Sequence, residues 1–339
     1  MHVLGIDTSC DDTSAGVVVA GRHVLSSVVH SQINLHSRHG GVVPELASRA
    51  HVRNIMPVVR EAVARAGLTL EEIDAVAVTI GPGLVGSLLV GLYYAKALSS
   101  VRKMHLAAVN HLEGHILSVF LEPEAPSFPF VCLTVSGGHT SIYHVKGYGD
   151  YVQMGQTLDD AAGEAYDKVA KILGLGYPGG PVIERIAKSG RRDAVSFPRA
   201  YLSSESLDFS FSGLKTSVSL FVKEWRRQPD TTRKESVADI AASFEEAVID
   251  VLVRKIFRAQ ELVGARAVVV AGGVACNGRL RSVTSAEAEK RGVRFYYPRP
   301  SYCTDNGAMI AAAGYHRLMK GDAVGSSVDV RSRYPIGDI

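Results

Sequence analysis

Short runs of β-branched and aliphatic residues alternate along the chain with stretches whose apolar positions step by three and four. That alternation predicts strands interleaved with amphipathic helices, an α/β fold. HVLGID (2–7) and SAGVVVA (14–20) read as two strands joined by the polar turn TSCDDT. FVCLTVS (130–136) and TSIYHV (140–145) repeat the plan around GGH. The repeat predicts two lobes, each opening on a hairpin. In residues 47–66, Val52, Ile55, Val59, Ala62 and Ala66 share a helical face, with arginines on the other side. DAVAVTI (74–80) predicts a buried strand that runs through GPGLVGS into an apolar helix, LLVGLYYAKAL. LAAVN (106–110) is a further short strand, with NHLEGH directly after it. EEAVIDVLVRKIFRAQELV (245–263) predicts a long amphipathic helix, and ARAVVVAGGVACNGRL (265–280) a strand, a glycine turn and a helix. The tail beyond residue 320 is poor in apolar residues and predicts a surface segment.

Composition narrows the class. With 339 residues, 46% hydrophobic and 21% charged, the chain can build real cores, and two domains are the better expectation. Cys10, Cys132, Cys276 and Cys303 form no C-x-x-C pair, so they read as free thiols in a reducing compartment. The N-terminus lacks the basic-then-apolar pattern of a signal peptide, and the apolar runs stop short of a membrane span. A cytoplasmic protein with no membrane contact is expected. The net charge of +3 permits a nucleic-acid partner without arguing for one. The pairs Arg102-Lys103, Arg191-Arg192 and Arg226-Arg227, like Arg331 with Arg333, read as solvated surface.

The candidate chemistry starts at NHLEGH. On a helix His111 and His115 share one face, so both imidazoles can reach one ion. A zincin needs glutamate directly after the first histidine, where Leu112 stands, and the inverted pattern needs it where Gly114 stands. A metalloprotease is therefore disfavoured. Asp305, in YCTDNGAMIA, is the best candidate for a third ligand, and two histidines with one carboxylate suit Fe(II) or Zn(II) about equally. Four glycine turns, IGPGLVGS, TVSGGHT, GYPGGP and AGGVACNG, put backbone N–H groups where phosphate can approach, which points to a nucleotide cleft. Asp11 and Asp12 lie in the first hairpin turn. Asp160, Glu164 and Asp167 fall on one helical face, either as a solvated first turn or as ligands for sugar hydroxyls or a metal.

Taken in order, GIDTSCDDTS, GGVVPELASRAH, GPGLVGSLLVG, NHLEGH, TVSGGHT, GEAYDKVAKILGLGYPGGP, DFSFSGLKT, AGGVACNGRLR and CTDNGAMIA cover nearly the whole chain. On these motifs the chain resembles the universal family of tRNA N6-adenosine threonylcarbamoyltransferases, in its bacterial form. The resemblance implies a two-lobed actin- and sugar-kinase-like fold, each lobe an RNase H-like mixed sheet flanked by helices. Lobe I would take residues 1–126 and 312–339, and lobe II residues 127–311. It implies that His111, His115 and Asp305 bind one divalent metal, usually iron in bacterial members, with zinc possible. It implies that Thr134, Val135, Ser136, Gly137, Gly138, Asp167, Gly180, Glu184 and Asn277 line the pocket for the adenylated co-substrate, threonylcarbamoyl-AMP. Archaeal relatives carry a metal-reaching tyrosine at the position of Thr134, and threonine is too short to copy it. The reaction implied is transfer of threonylcarbamoyl to N6 of adenosine 37 beside the anticodon of tRNAs reading codons that begin with A, with release of AMP. Asp11 and Asp12 are then candidates for orienting or deprotonating the amine. The implied partners are tRNA, an inactive paralogue and a small P-loop ATPase. Helical segment 47–66 is the candidate docking face for the paralogue, the alternative being that its stripe packs on its own sheet.

Other readings are weaker. A small-molecule O-carbamoyltransferase of this fold carries further domains, for which 339 residues leave no room. A kinase-like ATPase needs no histidine-bound metal. A non-catalytic tRNA-binding scaffold is opposed by the intact His111, His115 and Asp305.

Overall fold

The turn TSCDDT closes the hairpin its residues predict. In the computed structural model, which describes residues 1–201, 205–325 and 327–336, β1 (His2–Asp7) and β2 (Asp12–Val19) pair antiparallel with Asp7 opposite Ser14. A third strand, β3 (His23–Ser31), continues the meander. The pattern does not announce it, because it is an edge strand with polar and exposed residues at both ends. The short helix α1 (Ile33–His36) and the long helix α2 (Pro44–Arg65) follow. Then β4 (Ala75–Gly81), α3 (Val85–Arg102), β5 (His105–Asn110) and α4 (His111–Leu117) complete the first stretch. The sheet runs β3-β2-β1-β4-β5, with β1, β4 and β5 parallel.

The second sheet repeats the scheme in the order β10-β9-β6-β7-β8. Its strands are β6 (Phe130–Val135), β7 (Thr140–Gly147), β8 (Asp150–Gln156), β9 (Ala267–Ala271) and β10 (Arg294–Tyr296). The hairpin β6–β7 is antiparallel, while β9 and β10 add in parallel. The helices of this part are α5 (Ala162–Leu173), α6 (Gly179–Ala187), α7 (Ser212–Arg227), α8 (Val237–Val263) and α9 (Gly278–Arg291). Helix α8 starts ahead of its amphipathic stretch because Ser236 and Asp239 form a reciprocal capping box. The chain then returns through α10 (Pro300–Cys303) and α11 (Gly307–Met319).

Two units result, Met1–Pro126 with Lys146–Tyr151 and Pro298–Ile339, and Ser127–Val145 with Val152–Tyr297. The expected boundary at 311/312 falls too late. The cause is a close approach of α11 to the first hairpin. A Cβ at Gly5 would lie 2.0 Å from the Gly307 carbonyl oxygen, and one at Gly307 would lie 2.4 Å from the Ala15 carbonyl carbon. Only glycines permit that backbone contact, and it brings Asp305 into the first unit.

Two further expectations change. On α2, Ile55, Val59 and Ala62 bury in the core of the first sheet, each larger aliphatic side chain contributing about 1.5–3 kcal/mol. That part of the stripe is thus a packing face. Val52 is 64% exposed instead of joining it, and Ala66 lies past the helix end. His51 takes the inner position, satisfied by Thr13 Oγ1 at 2.7 Å and the Cys10 carbonyl at 2.9 Å. The tail is not simply a surface strap. Tyr334 and Ile336 are buried, Val324 and Val330 pack on the core, and Arg331 N donates to the Ile80 carbonyl at 2.7 Å. Few apolar residues suffice where backbone bonds do the anchoring. Among the described residues, no helix is long and apolar enough to cross a membrane.

Candidate functional site

Asn110 ends β5 and caps α4, its Oδ1 accepting from Leu112 N at 2.9 Å, while its Nδ2 donates to the Tyr334 carbonyl at 2.8 Å. That cap fixes His111 at the first helical position and His115 one turn on, both buried. Gly114 lets the helix lie against α11, since a Cβ there would stand 2.8 Å from Ile310 Cδ1. Asn306 caps α11 by accepting from Met309 N at 2.9 Å and presents Asp305 just before it. The sequence-predicted triad converges: His111 Nε2 and His115 Nε2 are 3.1 Å apart, and Asp305 Oδ1 lies 3.5 Å and 3.2 Å from them. Three donor atoms within 4.8 Å of one another, two of them imidazole nitrogens, suit a borderline-soft divalent cation.

The first imidazole is also backed by a carboxylate and a hydroxyl. Asp7 Oδ2 sits 3.1 Å from His111 Nδ1, and Ser9 Oγ lies 3.2 Å from the same nitrogen. A proton on Nδ1 leaves the Nε2 lone pair facing the triad. Asp7 is itself held, its Oδ1 accepting from Ser9 N at 2.8 Å. The two imidazoles are driven in opposite directions. Burial opposes charge on His111, but the carboxylates of Asp305 and Asp7 outweigh it and push the imidazole up to about 9. Burial lowers His115, with the His111 charge adding to the effect.

On the next face of α4, Glu113 is buried. It accepts from Arg317 Nε at 2.6 Å and from Tyr151 Oη at 3.1 Å. This pair ties α4 to α11, the helices flanking the ligands. Burial raises the Glu113 carboxyl against the opposing pull of Arg317. Asp11 and Asp12 are half-buried at the first hairpin. Among the described residues Asp12 Oδ1 has no hydrogen-bond partner, and burial, then the Asp305 charge, raise this carboxyl to about 7.

The glycine turns of the second unit are joined to one another through their backbone N–H groups. Gly163 N donates to the Ser136 carbonyl at 3.1 Å, and a Cβ on Gly163 would lie 2.8 Å from Gly137 Cα. Helix α5 therefore begins directly behind the SGG turn. Asp167 Oδ1 accepts from Gly179 N at 2.6 Å, Glu184 Oε1 from Gly278 N at 3.0 Å, and Asn277 Oδ1 caps α9 through Leu280 N at 2.8 Å. Gly137, Gly138 and Gly180 face open space. Val135 ends β6, where its carbonyl faces Gly272 at a distance that excludes a Cβ. Thr134 is buried within β6, its hydroxyl directed to the Ser141 carbonyl at 3.3 Å. The expected substrate-pocket residues thus form one connected set. The acids before α5 do not join it. Asp159 accepts from Ser210, Phe211 N and Ser212 at the start of α7, and Asp160 pairs with Lys168 and Lys215 at 2.7 and 2.9 Å. Both acids brace neighbouring elements.

The sequence profile of the tRNA N6-adenosine threonylcarbamoyltransferases matches residues 23–312. The chain belongs to this family. A protein of that name from Syntrophus aciditrophicus (strain SB) is 51% identical over 336 residues, 99% of this chain and 98% of its own. Another, from Symbiobacterium thermophilum, is 56% identical over 314 residues, 93% of this chain and 91% of its own. Among solved structures, T. kodakarensis HypF superposes with a TM-score of 0.62 at 16% identity, over 95% of this chain and 48% of that one. At that identity the likeness speaks for the fold alone, the two-lobed α/β arrangement of mixed sheets that the resemblance implied. For this threonylcarbamoyltransferase-family chain, the residues that sequence reasoning missed are those behind the ligands: Asp7, Ser9, Glu113 and Arg317, and Glu245, which accepts from Asn277 Nδ2 at 2.7 Å. Asp7 carried a signal, since an acid ending a buried strand just before a polar turn needs a partner. Arg317 carried none.

Proposed function

We propose that this protein transfers a threonylcarbamoyl group from threonylcarbamoyl-AMP to N6 of adenosine 37 in tRNAs that read codons beginning with A. The observation that carries the reading is the cluster of the buried His111 and His115 with the half-buried Asp305, backed by Asp7, in a chain of this family. The N6 lone pair attacks the carbamoyl carbon, the bond from that carbon to the phosphate oxygen breaks, AMP leaves, and N6 loses a proton. An adenine amine is a poor nucleophile, so most of the rate must come from positioning and from stabilising charge as it develops. A divalent ion, Fe2+ with Zn2+ as the alternative, would be held by His111, His115 and Asp305 and would supply Lewis acidity toward phosphate or carbamoyl oxygen. Gly137, Gly138 and Gly180 offer backbone donors to the adenylate, and Thr134, Val135 and Ser136 lead β6 into that turn. Asp167, Glu184 and Asn277 hold those turns in register and present acceptors to ribose. Asp12, with an unpartnered carboxylate oxygen, is the better of the two acids to receive or orient the N6 proton.

The same reading includes two protein partners, an inactive paralogue and a small P-loop ATPase. The exposed Val52 and Met56 of α2, at 64% and 48%, support a docking role for the outer side of that helix. The test is a transfer assay with unmodified tRNA, threonylcarbamoyl-AMP and the partners, read by mass spectrometry of digested nucleosides. The modified adenosine should form with the native chain and be lost with His111→Ala. Adenylate turnover without a modified nucleoside would overturn the reading.

A further inference from the structure

Helix α8 carries Arg254, Arg258 and Glu261 on one face, and Lys255 beside them. With Arg291, the last residue of α9, and Tyr201 they line a cavity of about 260 Å³ in the second unit. Four cations and one carboxylate give this lining a formal charge of +3 (4 − 1), equal to the net charge of the whole chain. The cations differ in how far they are committed. Lys255 is buried and donates to the Asp208 carbonyl. Arg291 is held by Glu261 and by Glu287. Arg254 stacks on the Tyr201 ring at 4.4 Å and, among the described residues, has no carboxylate partner. Arg258 meets Glu261 only at 3.6 Å, with 46% of its side chain exposed.

The cavity is separate from the glycine turns. Asn277 caps one end of α9 and Arg291 ends it, and its 14 residues span about 20 Å. Arg254 and Arg258 stand one turn apart, about 5–6 Å between Cβ atoms, so their guanidinium forks can meet successive phosphates of a chain. Glu261, between Arg258 and Arg291, disfavours a compact dianion seated deep in the cavity. Singly charged phosphodiesters along the rim avoid it.

We propose that this cavity is a phosphate-backbone site for the RNA substrate, with Arg254 and Arg258 donating to phosphodiester oxygens. The inference rests on the proposed function, because that reaction modifies one base of a long polyanion. Affinity for such a substrate comes largely from backbone contacts, each of which releases counterions on binding.

The test is binding of labelled unmodified tRNA to the full chain with its partners between 50 and 200 mM salt. The double variant Arg254→Ala with Arg258→Ala should lower the slope of log affinity against log salt by about two, one per lost phosphate contact. It should raise KM for tRNA and leave kcat at saturating tRNA and the KM for the adenylate unchanged. Unaltered thermal melting confirms that the variant folds. Lys223→Ala with Arg227→Ala, removing equal charge from the exposed side of α7, should leave the slope as it is. An unchanged slope in the first variant, or an equal loss in the second, overturns the site. Inorganic phosphate at millimolar concentration displacing RNA from the native chain, but not from the variant, identifies a small-anion pocket and overturns it too. A native chain with no affinity for tRNA would overturn the proposed function itself.

Discussion

The His111, His115 and Asp305 triad of the first unit and the glycine turns of the second are built from opposite materials. The triad is made of side chains: three donor groups from two segments, the imidazoles buried and Asp305 half-buried, with a second carboxylate behind the first imidazole. The turns are made of backbone, with side chains used as braces: Asp167 on Gly179, Glu184 on Gly278, Asn277 on Leu280. A cation needs lone pairs at fixed distances, and only packed side chains fix them. A phosphate needs N–H groups it can approach, and only residues without Cβ allow that. The first kind of site should therefore fail abruptly when one atom is removed. The second should weaken by degrees.

Removal of a ligand gives the largest expected effect. His115→Ala or Asp305→Ala should leave the chain without bound metal and cut transfer by about a thousandfold, the several kcal/mol a Lewis acid supplies. Metal analysis and single-turnover transfer check it. Retained activity would remove the triad from the chemistry. Next comes the contact that seats Asp305. Gly5→Ala puts a methyl group 2.0 Å from the Gly307 carbonyl oxygen, an overpacking expected to cost about 3 kcal/mol. Chemical denaturation measures it, and an unperturbed midpoint would mean that α11 can shift.

Asp7→Asn keeps the shape but removes the charge behind His111, and metal affinity should fall 10- to 100-fold. Competition with a chelator reads the change. Glu184→Ala sharpens the contrast. It frees one backbone N–H in the second unit, costs about 1 kcal/mol, raises KM for the adenylate severalfold and leaves metal content intact. Loss of metal in that variant would erase the distinction between the two regions.

The remaining effect concerns pH. Burial lowers the His316 imidazole from its ordinary 6.5 to about 4, where it stacks on Tyr148 at 3.6 Å. The unfolded chain binds a proton in that window that the folded chain does not. Stability is therefore full above about 6.5 and declines as pH falls toward 4. His316→Phe should flatten this part of the profile of melting temperature against pH, and an unchanged slope would assign the loss to other groups.

How legible all this was from the sequence follows from range. Hairpins, the buried strand β4 and the helix of NHLEGH are local, set by alternation, turn residues and an asparagine cap. The convergence of His111, His115 and Asp305 is not local. The identity of the third ligand could be guessed from residue type and family resemblance, but its placement depends on Gly5, Gly16 and Gly307 letting α11 onto the hairpin, which no periodicity encodes. The same contact moved the unit boundary. On α2 the spacing favoured Val52, while the structure buries His51, because two hydrogen bonds from distant residues make a polar side chain acceptable inside. The tail misled for a related reason, since its anchoring lies in backbone bonds to β4 and β5 that carry no side-chain signature. The acids before α5 were ambiguous between ligand and brace until Lys168, Lys215 and the start of α7 were seen to occupy them.

The central claim is that one cation bound by His111, His115 and Asp305 is required for transfer. The direct measurement is titration of chelator-stripped protein, with its partners, by Fe(II) under anaerobic conditions, reading modified adenosine by mass spectrometry. Activity rising from near zero and saturating at one equivalent per chain is the predicted result. Full activity in the stripped protein would contradict the account.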